Sequence, residues 1–240
     1  MFKRSLVICL IIIFLITPSN ACYPPNLYED ITKKALLLMP RTFRNVLKVY
    51  YDDLITGAAE SSSLLNSEDH LLYEDGSYGK ATFRIKQLSD KIVYDIYHHV
   101  PFHIIAREFG YIVHYVTDLN NPFHTAEKDS VAVQCEKEFS SFMTNYLDKF
   151  PFVFYGYSSK SLEKNDIEEF SQSIVDRSSK LRKVLLKTMH NGKAVASARK
   201  FDEKSLVFGV AAVSYQHSIS NTAQLWLHIW KNAHGDTRLE

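Results

Sequence analysis

The chain has 240 residues, 46% of them apolar and 23% charged, with only 8 glycines and 7 prolines. That composition excludes a disordered or collagen-like chain and suits one globular domain with a sizeable core. Lysine and arginine number 28 against 27 acidic residues, so the charge balance carries no specific signal for nucleic acid or an anionic surface.

Residues 1–21 are predicted to be a signal peptide. Lys3 and Arg4 precede the apolar run "LVICLIIIFLI", and Ser19 and Ala21 supply small residues before a cleavage point. The apolar run is too short for a comfortable membrane span. Residues 22–240 then form the mature domain, secreted to an oxidising compartment, where Cys22 and Cys135 can pair. Cys22 at the new N-terminus also suits a lipoprotein. Ordinary secretion is preferred, because Ser19 occupies a position usually aliphatic in lipoprotein signals.

The mature chain reads as helix throughout. "LYEDITKKALLLM" is a first helix stopped near Pro40, and residues 42–57 make a second that ends at Gly57. A loop-rich connector, "SSSLLNSEDHLLYEDGSYG", leads to a helix from Ala81 to His99, broken by Pro101. His98 and His99 suit that helix terminus, where cations are favoured. The next helix covers residues 102–120, and Pro122 forces a turn at Asn120-Asn121. Residues 131–149 resume as helix. The aromatic segment "FPFVFYGYSS" links it to a helix opened by Asn165 and Glu168, a capping-box spacing. Ile167, Phe170, Ile174, Leu181, Leu185 and Met189 keep the helical period there, and Asn191-Gly192 stops it. A last helix runs from Glu203 to Lys231. The expectation is a single all-α domain of about seven helices.

Two helices carry polar stripes. At 102–120, Ile105, Phe109, Ile112, Val116 and Leu119 form an apolar face, while His103, Arg107, Gly110, His114 and Asp118 lie opposite. His114 and Asp118 are one turn apart and point the same way. A solvated face with an i,i+4 pair has the same spacing. His124, on the turn after Pro122, adds a third donor and shifts the reading toward one cation, since zinc takes imidazole nitrogen and carboxylate oxygen. In the last helix His217, Asn221, Gln224 and His228 lie roughly opposite the apolar stripe, and are read as a solvated face in preference to a cleft wall.

"GYIVHYVTDLNNPFHT" resembles the His-x-x-x-Asp…Pro-x-His segment of zinc-dependent phospholipase C, a fold shared with S1/P1-type nucleases. "YEDITKKALLLMP", "YYDDLITGAAESS" and "EDHLLYEDGSYG" resemble other elements of that family, in family order, over residues 22–140. The resemblance implies an all-α domain of the phospholipase C / P1 nuclease type that holds one to three zinc ions in a cleft. It implies one metal on His70, His114 and Asp118, with Asp118 bridging to a neighbouring metal. A second metal falls to His124 and a His-x-x-x-Glu pair, matched here on "QCEKE", so that Gln134 replaces the histidine and Glu138 keeps the carboxylate. Cys135 and Glu136 are the compensating donors nearby. A third metal falls to the mature N-terminus, here Cys22, and to a first-helix histidine replaced by Tyr28. Ser62 stands at the family's general-base position, and Glu60 is the nearest carboxylate. Asp69 reads as a local partner of His70.

The leading expectation is an exported zinc-dependent phosphodiester hydrolase acting on phospholipid head groups, with peripheral membrane contact. Single-stranded nucleic acid is the alternative substrate within the fold. The rival reading is a catalytically silent domain that binds metal or lipid. A helical exported domain without metal is the third.

Overall fold

The computed structural model describes residues 23–64, 67–188 and 204–238. The expected signal segment, Cys22, Met189, Asn191, Gly192 and the side chain of Ser62 lie outside them. Among the described residues there are nine helices and no strand. They are α1 (Pro25–Leu37), α2 (Arg41–Val49), α3 (Tyr51–Leu64), α4 (Ala81–Tyr97), α5 (Phe102–Leu119), α6 (Ser130–Asn145), α7 (Lys160–Glu163), α8 (Ile167–Thr188) and α9 (Leu206–Asn232). Short 3-10 turns at Ser67–His70, Pro122–His124 and Leu147–Lys149 join them.

The prolines act where the sequence puts them. Pro40 precedes α2, Pro101 precedes α5, and Pro122 opens the turn after α5. Two boundaries differ from expectation. The segment 42–57 is split near Tyr50, and Gly57 does not stop a helix but lies inside α3. Asn165 adopts φ +58° and belongs to the end of α7. Asp166 caps α8 instead, its Oδ1 accepting from the Glu169 amide at 2.7 Å.

Helix α5 is the centre of the molecule. It packs against α3, α4, α9, α1 and α8, and every residue from Ile112 to Asn120 is buried. A polar stripe that faces water is therefore excluded for His114 and Asp118. The closest neighbour is α3. A Cβ on Gly57 would lie 2.0 Å from the Arg107 carbonyl oxygen, and one on Gly110 would lie 2.2 Å from that of Leu54. Gly57 marks a close approach of two backbones, which a glycine permits as readily as a helix end.

The aromatic core closes around this pair. Phe43 stacks on Trp230 with centroids 4.5 Å apart, and its ring also meets Phe109 and Trp226. The Trp226 indole donates to the Phe109 carbonyl at 3.1 Å. Phe43 and Phe109, both fully buried, contribute about 1.5–3 kcal/mol each.

The polar stripe of α9 is solvated only in part. Asn221 and Gln224 are buried, as is Gln216 beside them, whereas His217 and His228 are half-buried. Tyr155 of the aromatic linker donates to Gln216 at 2.8 Å, and Gln224 donates to the Gly156 carbonyl at 2.7 Å. Arg177 of α8 reaches Asn120 and Asn221. The linker is thus mainly a packed strap, although Phe152, Val153 and Tyr155 keep exposed surface. No helix of the described residues is long and apolar enough to cross a membrane.

Gly110→Ala is expected to force α3 and α5 apart and lower stability by about 3 kcal/mol, read as a drop in Tm; an unchanged Tm would remove the close-approach account. Burial and the nearby Arg177 charge hold His217 down at about 4, from 6.5. The unfolded chain then binds this proton first as pH falls, so stability is lost between pH 6.5 and 4. After solvent screening the loss is about 1–2 kcal/mol, and denaturant melts of His217→Gln should show a correspondingly flatter pH dependence.

Candidate metal centre

The C-terminal end of α5 is shaped by hydrogen bonds to its own turn. Asn121 Oδ1 accepts from the Phe123 amide at 3.0 Å, and the Asn121 carbonyl accepts from the His124 amide at 3.0 Å. The turn folds His124 back over the helix end. Two backbone bonds then tie it to the segment carrying His70: the Leu72 amide donates to the His124 carbonyl, and the Glu74 amide to that of Thr125. His124 Nδ1 donates to the His70 carbonyl at 3.1 Å. The position of His70 is set by this pairing.

Three donor atoms converge here. His70 Nδ1 lies 2.7 Å from Asp118 Oδ2, His114 Nε2 lies 3.1 Å from the same oxygen, and the two ring nitrogens are 3.2 Å apart. His114 and Asp118 have no exposure and His70 is 6% exposed. The Ala58 carbonyl of α3 lies 3.0 Å from His114 Nδ1. A carbonyl can only accept, so Nδ1 carries a hydrogen, and in the neutral ring the Nε2 lone pair points into the cluster. The other ring nitrogen of His70, Nε2, is buried without a hydrogen-bond partner. The His70 proton can therefore move to Nε2 and free Nδ1 without breaking a bond there.

The set fits zinc. Ligands at 2.0–2.2 Å in a tetrahedron stand about 3.3–3.6 Å from one another; the His114 separations of 3.1 and 3.2 Å lie just below that, and the His70–Asp118 pair at 2.7 Å would open by about 0.6 Å or more to admit the ion. Among the described residues this is the one group of three such donors within 4.8 Å of one another. The electrostatics agree. Burial opposes the charge of Asp118, but His114, His70 and His124 outweigh it and hold the carboxyl far below its usual range. Burial likewise lowers the proton affinity of His70, and Asp118 more than restores it, so its value is raised.

The other expected residues are placed as follows. His124 is 4% exposed, and its Nδ1 is 3.7 Å from Asp118 Oδ1. The carboxylate that meets it is Glu136, not Glu138: His124 Nε2 is 2.8 Å from Glu136 Oε1. Glu136 is 1% exposed, whereas Glu138 accepts from Gln134 at 2.8 Å on the outer side of α6. Counting back one turn, the position that pairs with the carboxylate is Ala132, not Gln134. Glu60 is bound to Arg107 at 2.5 and 3.1 Å. Asp69 pairs with Arg84, the local role expected of it. Tyr28 is buried, stacks on His114 at 4.5 Å, and donates to Asp118 Oδ1 at 3.3 Å. Cys135 is buried on α6.

Lys128 was not foreseen. Its Nζ lies 2.7 Å from Glu136 Oε2. Burial opposes the charge of Glu136, and His124 with Lys128 overcomes that and lowers its value. The sequence did hold a signal for Glu136. Ala132, Cys135, Phe139, Phe142 and Met143 mark the buried face of α6, and Glu136 falls on it while Gln134 and Glu138 do not.

No protein-family model matches the chain, and no curated protein sequence does. Solved structures share its fold. An alpha-toxin of Clostridium perfringens, from avian strain SWCP, aligns with a TM-score of 0.68 at 16% identity, over 91% of this chain and 66% of that one. An alpha-toxin of Clostridium absonum gives a TM-score of 0.69 at 13% identity, over 92% of this chain and 67% of that one. The chain thus spans about two thirds of the length of each. The likeness establishes the all-α fold of the phospholipase C type; at these identities it carries the fold alone.

Removing the Glu136 charge leaves Lys128 and His124 against an uncharged amide. Glu136→Gln should cost about 2–3 kcal/mol, and Glu138→Gln less than about 0.5 kcal/mol. Chemical denaturation of the two variants compares them directly; equal losses would contradict the placement of Glu136.

Proposed function

We propose that this chain is an exported zinc-dependent phosphodiester hydrolase whose substrate is the head group of a phospholipid. The observation that carries the reading is the convergence of His70, His114 and Asp118 on one point inside an all-α domain of this fold. Zinc held there supplies Lewis acidity toward a phosphate oxygen and lowers the pKa of water. The residues of the chain do the rest. The Ala58 carbonyl fixes the His114 ring, and the 122–125 turn fixes His70 through its backbone. Asp118 supplies the negative charge that holds the cation. The signal-like residues 1–21 support export, and residues 22–240 are taken as the functional domain. Contact with a lipid surface would fall to the exposed Phe152, Val153 and Tyr155.

Glu60, the carboxylate read as candidate base, acts in that role only by giving up part of its pair with Arg107. That pairing, with the burial of the three donors, favours a second reading: a domain that holds zinc without turnover. Cys22 as a further ligand stays a proposal drawn from the cleavage position.

Zinc analysis of the purified protein and hydrolysis of a chromogenic phosphocholine ester separate these readings. Hydrolysis abolished by chelator and restored by zinc is expected. Zinc without hydrolysis supports the silent domain, and cleavage of single-stranded nucleic acid in its place supports the nuclease branch. His114→Ala should lose the zinc and reduce hydrolysis by more than about 100-fold, the upper range for losing a mere supporting contact. His217→Ala should keep both. Equal zinc in the two variants would refute the site.

A further inference from the structure

The position next to this site is already filled by charge from the chain itself. Both oxygens of Glu136 are engaged, Oε2 by the Lys128 ammonium at 2.7 Å and Oε1 by His124 Nε2 at 2.8 Å, with Asn121 Nδ2 at 3.4 Å. A cation seated between His124 and Glu136 would have to displace or face that ammonium. One turn before Glu136 on the same buried face stands Ala132, which has no donor atom. His124 and Glu136 therefore provide two ligands where a stable site needs three or four. On the other side, Tyr28 closes Asp118 Oδ1 with its hydroxyl and packs its ring on His114. That oxygen is the one a bridging carboxylate would turn to a neighbouring metal.

From this we infer that the centre is mononuclear, and that Lys128 supplies as a fixed ammonium the positive charge that a second metal ion would bring. The inference rests on the zinc reading above. The side chain of Lys128 is 20% exposed, so the ammonium sits at the solvent edge of the cluster and the Glu136 carboxylate behind it. His124 and Glu136 position Lys128 rather than bind metal.

The test is zinc stoichiometry of the full mature chain by elemental analysis after dialysis against excess zinc. Wild type should hold one equivalent. Lys128→Ala frees the second oxygen of Glu136, so that both carboxylate oxygens with His124 make three donors, and should hold two, the second at least tenfold weaker. Lys128→Arg keeps the charge and should stay at one. Lys128→Gln, neutral but able to bond to Glu136, should follow Lys128→Ala and serves if the alanine variant melts early. Two equivalents in wild type would overturn the mononuclear centre and leave the zinc reading standing. A single equivalent in both neutral variants would show that Lys128 is not what excludes the second ion. No zinc in wild type would remove both readings together.

Discussion

A carboxylate with no exposure to water, Asp118, is the constraint around which this fold is arranged. An isolated buried charge of that kind costs several kcal/mol or more. It persists because polar groups from four segments converge on it: Tyr28 of α1, His70 of the loop before α4, His114 of α5 and His124 of the following turn. None of these groups is positioned alone. His114 is held by the Ala58 carbonyl of α3, and a hydrogen bond from one helix to the backbone of another requires the two helices nearly to touch. Gly57 and Gly110 make that approach sterically feasible. The charge inside and the glycines outside are two ends of one requirement.

The same logic explains why α9 carries amides on a buried face. The helix lies deep enough that its second side is covered by the aromatic linker and by α8. Each amide meets a backbone carbonyl, a hydroxyl or the Arg177 guanidinium. Arg177, whose hydrogen-bond partners among the described residues are amide oxygens, is pulled down by burial to about 10. It remains charged at neutral pH and adds to the burial that keeps His217 neutral. Polar residues at helical spacing thus mean two different things in this chain: a converging donor set in α5 and a satisfied packing layer in α9. What distinguishes them is that α5 brings nitrogen lone pairs and a carboxylate to one point.

Much of this was legible in the sequence, because the decisive signals are local. Proline fixes a boundary through its own ring, so the limits of α5 and the turn that returns His124 could be placed from Pro101 and Pro122. The i,i+4 spacing of His114 and Asp118 is helical geometry alone. Gly57 misled, because the same residue suits a helix end and a helix crossing, and only a partner helix decides between them. Glu138 was preferred to Glu136 because a motif spacing was anchored on Gln134; the apolar register of α6 gives the other answer. The solvated face assigned to α9 failed at Asn221 and Gln224 for a related reason. Its covering is a linker some 60 residues away in sequence, and no local pattern reports that. Lys128 was invisible because a lone lysine in a loop looks like any solvated cation until its carboxylate partner is known.

Charge counting relates the proposed single zinc to its proposed substrate. His124 gives one N–H to the His70 carbonyl and the other to Glu136, so it joins Lys128 as a positive charge against Asp118 and Glu136, and these four groups balance before metal binds. One zinc ion then brings two positive charges. A phosphodiester carries a single negative charge, so substrate would leave a single positive charge inside a volume where unbalanced charge is costly. Adding a second dication without losing Lys128 would leave an excess of three positive charges after the substrate had bound. The replacement of a metal by an ammonium keeps the site close to neutrality with fewer ligands, and the loss of the donor at Ala132 is then consistent with the presence of Lys128. A mononuclear site of this kind depends on one cation for both holding and polarising phosphate, which places the whole chemical demand on the geometry of His70, His114 and Asp118.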